Sequence, residues 1–231
     1  MKIILLLLCS MLLGCNTIDS SNTEEVIIEQ EPILVDADKT GEELIDNTIN
    51  LLRENSYELH ALATYENHED FNQIVKYDDG LIYIETTGVP ILSKCFYLDC
   101  INIRMFLKNV DEDDWREGSL EIEPDSSVEP SEIYNTGITI FKKIKDITDV
   151  KMDDNEYYIY ASTDDYGIAG VTWDERELIV HIDKESGYPT LIEYAMHPDD
   201  KAITSTTTIS NFGSTIVELP DELNTFYEEN N

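Results

Sequence analysis

The sequence predicts an α+β fold: one large, curved antiparallel β-sheet, an open half-barrel, with two or more helices covering its concave face. Two segments carry apolar residues at the helical period, and most of the remaining chain alternates apolar and polar residues with a period of two. Short turns join consecutive strand candidates, which makes those strands antiparallel. Such a sheet has one face to bury, and the two amphipathic helices are the available cover.

The first predicted helix follows Thr40. Thr40 can act as the N-cap, and Glu43, three residues later, completes a capping box. Arg53 lies in the last turn, where a cation is favourable, and Asn55 and Ser56 end the helix. The face that this helix would bury comprises Leu44, Ile45, Thr48, Leu51 and Leu52.

Strand-like alternation begins at Tyr57 and runs to Tyr65. Residues 71–88 are predicted to form two strands around Asp79-Gly80, because this dipeptide is a strong signal for a hairpin turn. Residues 91–109 are predicted to form another pair of strands. An acidic, turn-rich segment follows at residues 109–128.

A second helix is predicted after Pro130. Lys142, Lys143 and Lys145 lie at its C-terminal end, where cations favour a helix. Gly137 lowers the helix propensity of this segment. The positions spaced for a helix are Ile133, Tyr134, Gly137, Ile138, Phe141 and Ile144.

The rest of the chain is strand-like up to Pro220, which ends the last predicted strand. Residues 183–187 form a turn in which Gly187 can adopt a positive φ. Residues 221–231 are predicted to be a frayed acidic tail. The strand candidates are Glu156–Ser162, Gly167–Trp173, Leu178–Asp183, Thr190–Met196, Ala202–Phe212 and Thr215–Leu219.

The N-terminus has the features of a secretory signal. Lys2 precedes an apolar stretch that is too short to span a bilayer, which takes roughly 20 residues. The sequence Leu-Leu-Gly before Cys15 resembles the lipobox of bacterial lipoproteins. This resemblance implies cleavage of residues 1–14, lipidation of Cys15, and a protein anchored to the cell membrane of a bacterium and facing outside the cytoplasm. The alternative is an ordinary signal peptide with a chance cysteine.

The domain boundaries follow from that anchor. Residues 15–39 are polar and acidic around two short apolar islands, with no sustained helical or strand period, which predicts a lipid-anchored flexible tether. The folded domain is expected over residues 40–220, followed by the acidic tail.

Cys95 and Cys100 are the remaining pair of cysteines in the exported part of the chain. An even pair in an exported protein favours a disulfide, and this spacing suits closure of a short hairpin. The alternative is two free or metal-binding thiols.

The formal net charge of −34 limits the partners of the chain. Nucleic acid and anionic lipid head groups would both be repelled, so the lipid at Cys15 is the expected membrane contact. The charge is compatible with an apolar ligand or an envelope protein as the partner. No nucleic-acid partner and no cofactor is expected.

Histidine and acidic residues are present, but they are not spaced as in known metal-binding or catalytic motifs. His60, His68, His181 and His197 form no metal-binding or catalytic motif. The acidic segments 111–114 and 153–155 lack calcium-loop spacing. The sequence therefore predicts no metal site and no catalytic residues, and we expect a protein that is not an enzyme.

The segments HIDKESGYPTLIEY and ISNFGSTIVELP resemble the ending of bacterial LolA/LppX-type half-barrel lipoproteins. The matching motifs are Asp183–Pro189 and Asn211–Pro220, and the order of elements agrees over about residues 41–220. The resemblance implies an open barrel whose cavity, between sheet and helices, holds lipid acyl chains. This chain departs from the lipid carriers in its acidity.

The leading hypothesis is a surface-tethered, non-catalytic lipoprotein that binds an apolar or amphipathic ligand in that cavity. The alternative is a structural or protein-interaction module of the cell envelope with a filled core. A cell-envelope hydrolase is the third hypothesis. Aromatic residues on strand positions would fill the core or line a pocket, and they include Tyr83, Phe96, Tyr158, Tyr160 and Trp173. No ligand-binding residue can be named from the sequence.

Overall fold

The computed structural model describes residues 34–66, 69–88, 93–109, 114–119, 135–163, 166–168, 171–173, 176–196 and 202–228. In these residues twelve strands form one sheet, and β10 and β11 form a separate hairpin. The helices are α1 (Gly41–Glu54), α2 (Thr136–Lys142) and α3 (Asp221–Glu228). The strands are β1 (Val35–Asp36), β2 (Tyr57–Tyr65), β3 (Phe71–Asp78), β4 (Leu81–Thr87), β5 (Ser93–Asp99), β6 (Arg104–Asn109), β7 (Arg116–Ser119), β8 (Ile144–Met152), β9 (Glu156–Thr163), β10 (Tyr166–Ile168), β11 (Val171–Trp173), β12 (Arg176–Asp183), β13 (Pro189–Tyr194) and β14 (Ala202–Ser210).

The large sheet is antiparallel and open. Its strand order is β1-β8-β9-β12-β13-β14-β2-β3-β4-β5-β6-β7, so the two end strands are β1 and β7. Most neighbours in space are also neighbours in sequence, as short turns require, and β14 returns to pair with β2 at the centre. The predicted α+β class, an open antiparallel half-barrel sheet with helices, is confirmed.

Helix α1 begins as the sequence predicts. The Thr40 hydroxyl oxygen accepts a hydrogen bond from the Glu43 backbone N–H at 3.2 Å. The Glu43 carboxylate accepts one from the Thr40 backbone N–H at 3.1 Å. These two contacts are the reciprocal bonds of a capping box, which satisfy donors that the first helical turn leaves unpaired.

The strands alternate between two faces, which we call inner and outer. The inner face is covered by α1 and α2 and carries the main apolar core. Leu59, Val75 and Val180 of this face are 0%, 2% and 0% exposed, whereas their sequence neighbours on the outer face are half-buried. The strict alternation predicted for β2 and β3 is confirmed, because a strand turns successive side chains to opposite faces.

The β3–β4 hairpin turns at Asp79 and Gly80, as predicted. Both residues have a positive φ, 42° and 83° respectively. Two consecutive positive φ angles are the mark of a type I′ turn, whose twist matches that of the flanking strands. The turn sets a register in which Tyr77 pairs with Ile82 on the inner face.

The second helix is shorter than predicted. In the described residues it ends at Lys142, and the chain enters β8 at Ile144, where the sequence had indicated a continuing helix. The residues that follow include Ile147 and Val150, which are β-branched and fit a half-buried strand better than a helix. Residues 130–134 lie outside the described part of the chain.

The folded domain starts earlier than residue 40. Residues Val35 and Asp36 form β1, which pairs with β8 at the edge of the sheet. Lys151 Nζ lies 2.7 Å from Asp36 Oδ1, and this hydrogen bond, together with the charge, lowers the pKa of Asp36. The tether predicted over residues 15–39 is therefore wrong for residues 35 and 36, because pairing with an edge strand orders them.

Two of the predicted strands do not appear as single strands in the structure. The segment predicted as one strand at Gly167–Trp173 is the hairpin of β10 and β11. The segment predicted as a strand at Thr215–Leu219 forms no ladder and runs as an extended arm. Asn211 begins this arm with a positive φ of 58°, and its carbonyl oxygen accepts the Thr215 backbone N–H at 3.1 Å.

Residues 221–228, predicted as a frayed tail, form helix α3. This helix packs on the outer face of β4, β5 and β6, since the rings of Phe226 and Phe106 lie 5.5 Å apart. Leu223 and Phe106 are both 0% exposed. The prediction is wrong because the outer face of these strands carries apolar residues that need a cover.

Candidate functional site

The inner face was expected to offer a cavity, but beneath α1 and α2 its described part is filled. Leu52 of α1 and Phe141 of α2 are 0% and 1% exposed. Ile159, Val180 and Ile192, from three adjacent strands, are each 0% exposed and belong to the same apolar cluster. A side chain with no solvent-accessible area does not border a cavity large enough for a water molecule. These five residues therefore do not line a cavity that could hold a ligand.

A wide depression instead borders β8, β9, β12 and β13, and its lining joins outer-face residues to Ala161, Leu178 and Tyr194, which belong to the inner core. We call it the outer groove, and its volume is about 1070 Å³. Tyr160 and Ile179 are cross-strand partners at its floor, and Glu193 is the next residue along the same row. The outer groove is lined by Asp146, Thr148, Tyr160, Ala161, Ser162, Glu177, Leu178, Ile179, Glu193, Tyr194, Ala195 and Met196.

The lining combines an apolar floor with carboxylates at its rim. Asp146, Glu177 and Glu193 are exposed, whereas Tyr160 and Ile179 are half-buried. Because the side chains of one row project from the same face, an aromatic and an aliphatic group lie between acidic groups. Such a surface suits a cationic group that is attached to an apolar side chain.

A bulge in β8 shapes one wall of the outer groove. The β8–β9 register shifts between Lys145 and Asp149, and Asp146 within this interval has a φ of 45°. Aspartate tolerates the left-handed region better than most residues do. The bulge turns Asp146 and Thr148 toward the groove, in keeping with the general use of bulges to redirect side chains beside sites.

His181 holds one of the groove carboxylates in place. Its Nε2 lies 3.1 Å from Glu193 Oε2, and its Nδ1 lies 3.2 Å from Glu156 Oε2. Thr190 donates a hydrogen bond to the other Glu156 oxygen at 2.9 Å. The two ring nitrogens of His181 each face one carboxylate. His181 is thus a positioning residue for Glu193.

His60 and the acidic segment 153–155 lie in the described part of the chain and do not line the groove. His60 Nε2 lies 2.6 Å from Asn72 Oδ1 on the outer face. Asp153 accepts hydrogen bonds from the backbone N–H groups of Glu156 and Asn155, both at 2.7 Å, which lower its pKa and fix a turn. His68, His197 and residues 111–113 lie outside the described residues, and Asp114 is exposed.

The aromatic residues named from the sequence divide between the two faces. Phe96 is on the inner face, where it pairs with Ile84 and Leu107. Tyr160 is in the outer groove.

Tyr83 is on the outer face, with its ring centre 4.8 Å from that of Tyr97. Tyr158 is also on the outer face, and it donates a hydrogen bond to Asp153 at 2.8 Å. The side chain of Trp173 lies outside the described part.

Cys95 and Cys100 are not bonded to each other in this structure. Cys95 lies within β5 on the outer face, where it pairs with Glu85, whereas Cys100 follows the strand and packs in the inner core. An odd separation of five residues turns the two side chains to opposite faces of the sheet. The extended stretch from Cys95 to Asp99 alone spans about 13 Å, whereas disulfide Cα atoms lie within roughly 7 Å of each other. The hairpin closure expected from the sequence is not formed.

The remaining expectations concern metal binding and the membrane. Among the described residues, no group of three histidine, cysteine or acidic side chains is arranged to hold a metal ion. None of the described helices has the length and apolar character needed to cross a membrane. Cys15, the predicted lipidation site, lies outside the described residues.

The outer groove could not be predicted from the sequence. The alternation along β9 and β12 predicts that Tyr160 and Ile179 lie on strands, but it does not predict that they are neighbours. Their meeting depends on the pairing of β8, β9, β12 and β13, and on the bulge in β8. Register between strands is a long-range property that local periodicity does not specify.

Comparison with known proteins gives matches among solved structures alone. No protein-family model matches the chain, and no curated protein does. A LolA superfamily protein, NE2245 from Nitrosomonas europaea, is 10% identical, with 80% of this chain and 97% of that chain covered and a TM-score of 0.35. The structure of MucB in complex with MucA(peri) is 8% identical, with 79% of this chain covered and a TM-score of 0.31. The match spans 58% of the MucB chain.

Proposed function

We propose that this protein is a non-catalytic binding module of the bacterial cell envelope, and that its outer groove holds a cationic, partly apolar segment of a partner protein. The observation that carries this proposal is the row of Tyr160 and Ile179 set among Asp146, Glu177 and Glu193. The filled inner face beneath α1 and α2 supports a function at the outer surface.

The two parts of the groove have different physical roles. Burial of a partner side chain on Tyr160 and Ile179 supplies most of the affinity, about 1.5–3 kcal/mol for a fully buried aliphatic group. Each exposed carboxylate adds about 0–1 kcal/mol when it pairs with a lysine or arginine. The net charge of −34 also attracts a cationic partner from a distance and raises its association rate.

A peptide-binding measurement tests the groove. The probe is a fluorescently labelled peptide of alternating lysine and leucine, compared with a lysine–serine and a glutamate–leucine peptide. We expect the domain to bind the lysine–leucine peptide most tightly. Ile179→Ser should weaken binding about tenfold, and Glu177→Gln about two- to fivefold. Glu69→Gln, an exposed carboxylate away from the groove, is the matched control and should change nothing.

Two results would contradict this proposal. One is equal binding by wild type, Ile179→Ser and Glu177→Gln, which would mean that net charge alone captures the peptide. The other is equal affinity for the lysine–leucine and lysine–serine peptides, because the apolar floor would then contribute nothing.

The envelope location is part of the same proposal. Lipidation of Cys15 would tether the domain to the outer side of the cytoplasmic membrane, while its negative charge keeps the domain off anionic head groups. Membrane fractionation of wild type and Cys15→Ser tests this. We expect wild type in the membrane fraction with a diacylglyceryl mass on its N-terminal peptide, and Cys15→Ser without that mass.

An apolar ligand is a second candidate because one strip of the inner face is incompletely covered. Ile84, Phe96 and Leu107 are cross-strand partners on adjacent strands, and all three are half-buried. Native mass spectrometry of the domain purified from its own membranes tests this candidate. A bound lipid mass that Leu107→Asp abolishes would favour it, and a ligand-free wild-type domain would count against it.

A further inference from the structure

Three isoleucines project into solvent at one end of the sheet. Ile101 is 67% exposed, Ile103 is 50% exposed and Ile216 is 70% exposed. The described large apolar side chains with comparable exposure elsewhere are Leu34 and Val35, near the start of the domain. Single exposed apolar residues are ordinary, whereas a group of them marks a surface that another molecule covers.

The turn that carries Ile101 and Ile103 is held firmly. Asp99, which is 2% exposed, accepts hydrogen bonds from the backbone N–H groups of Ile101 at 3.1 Å and Asn102 at 2.9 Å. Asn102 also donates its side-chain amide to Asp99 at 2.8 Å. Ile103 has a φ of 56°, which is unusual for a β-branched residue. The fold thus keeps two isoleucines exposed in a fixed and strained turn.

The C-terminal arm, which carries the third isoleucine, passes beside the Asp78–Gly80 turn. The Val217 backbone N–H donates to Asp78 Oδ2 at 3.2 Å, and Val217 is buried at 6% exposure, so its neighbour Ile216 points outward. Ile101 packs against Gly80, where an added Cβ would come within 3.0 Å of Ile101 Cγ1. The Asp78–Gly80 turn therefore contacts both the arm and the isoleucine turn.

Carboxylates and a small depression adjoin the isoleucines. Asp78 and Asp79 line a depression of about 530 Å³ with Ile101 and Leu219. Asp79 is exposed and Asp78 is half-buried. We call the three isoleucines together with Asp78 and Asp79 the end patch.

We propose that the end patch is a second docking surface, which inserts its isoleucines into an apolar cleft of a partner protein whose rim carries lysine or arginine. Charge selects this occupant. A second copy of the chain would set the same carboxylates against each other, and an anionic membrane would repel them. A protein cleft with a basic rim covers the isoleucines and pairs with Asp79 at the same time. The end patch lies on β3–β6 and the arm, apart from the outer groove on β8–β13, so the two proposals stand independently.

Site-specific photo-crosslinking in intact cells tests the end patch with the full, anchored chain. A photoreactive residue replaces Ile101 or Ile216, and the control position is Thr208, exposed on the outer face of β14. We expect one and the same protein to be crosslinked from both isoleucine positions and not from Thr208. Mass spectrometry should place the contact beside lysine or arginine.

Substitutions then separate the contributions. Ile216→Ser should reduce the Ile101 crosslink about tenfold or more. Asp79→Asn, which keeps a residue suited to positive φ, should reduce it about two- to fivefold. Glu69→Gln, an exposed carboxylate away from both surfaces, should leave it unchanged. Crosslinks to lipid, crosslinks to a second copy, or no crosslink above the Thr208 level would each overturn the proposal.

Discussion

The contact between Tyr57 and the start of α2 fixes how that helix meets the sheet. The Tyr57 hydroxyl donates to Asn135 Oδ1, and the same oxygen caps α2 by accepting the Ile138 backbone N–H at 3.0 Å. Tyr57 is 1% exposed, and burial raises the pKa of its hydroxyl. Gly137 lets the helix lie directly on the ring, since an added Cβ would come within 2.5 Å of the hydroxyl oxygen.

Gly137→Ala should therefore destabilise the domain by about 1–3 kcal/mol, because neither the buried ring nor the capped helix can move away. Urea denaturation measures this loss. The matched control is Gly118→Ala, where the new Cβ would meet the flexible end of Met105 and the loss should stay below about 0.5 kcal/mol. Equal losses for the two variants would show that the close approach at Gly137 is unimportant.

Cys100 gives the domain a pH dependence at high pH. Burial, with a smaller contribution from the Asp99 carboxylate, raises the pKa of its thiol from 9.0 to about 11. The folded state thus favours the protonated thiol. Its contribution to stability is fully present below pH 9 and is lost as the pH rises toward 11, where the unfolded thiol has already ionised.

Free energies of unfolding measured between pH 8 and pH 11 test this. The stability difference between wild type and Cys100→Ala should shrink as the pH rises through this range. Val75→Ala removes buried apolar volume from the same core without a titrating group, so its difference from wild type should stay constant. A constant difference for Cys100→Ala would contradict the buried, protonated thiol.

At the scale of elements, helix α3 is the clearest addition to what the sequence indicated. It covers apolar residues on the outer face, and Arg104 donates a hydrogen bond to the Phe226 carbonyl oxygen at 2.7 Å. An isolated helix of this length is unstable in water, so α3 exists because Leu223 and Phe226 are docked.

Leu223→Ala should undock α3 while the sheet stays folded. Hydrogen exchange followed by mass spectrometry should show faster exchange in residues 221–228 and unchanged exchange in β2 and β3. Asn224→Ala, at the exposed neighbouring position, is the control and should leave α3 protected. Slow exchange in α3 of the Leu223→Ala variant would show that other contacts hold the helix.

Local signals predicted the elements that depend on local interactions. The capping box at Thr40, the Asp79-Gly80 hairpin and the alternation of β2 and β3 all appear in the structure. The sequence did not indicate that Ile144 begins a strand, because a helical and a strand pattern overlap there. It did not indicate the docking of α3 either, since that depends on apolar residues of distant strands.

The same limit applies to the candidate site at the scale of the whole molecule. Tyr160 was recognised as a strand residue, but its neighbours Ile179 and Glu193 are set by pairing across three strands. The separation of Cys95 and Cys100 has a related cause, because a continuous strand at Cys95 turns the two cysteines to opposite faces. Sheet register therefore determines both the groove and the state of the cysteines.

The two faces of the sheet have different roles in this account. The described inner face beneath α1 and α2 is a packed core, and the outer face carries the groove and its carboxylates. Binding there should weaken as salt rises, because exposed charges are screened over about 8 Å at physiological ionic strength. The apolar floor should keep part of the affinity at high salt.

Methyl NMR of the domain during titration with the lysine–leucine peptide tests the central claim most directly. The Ile179 methyl faces the groove, whereas Ile159, Val180 and Ile192 project from the same strands into the core. We predict a saturable shift of the Ile179 signal with the three core signals unmoved, and no such shift with the glutamate–leucine peptide. Shifts of the core methyls, or an unmoved Ile179 signal at saturation, would contradict the outer groove as the binding site.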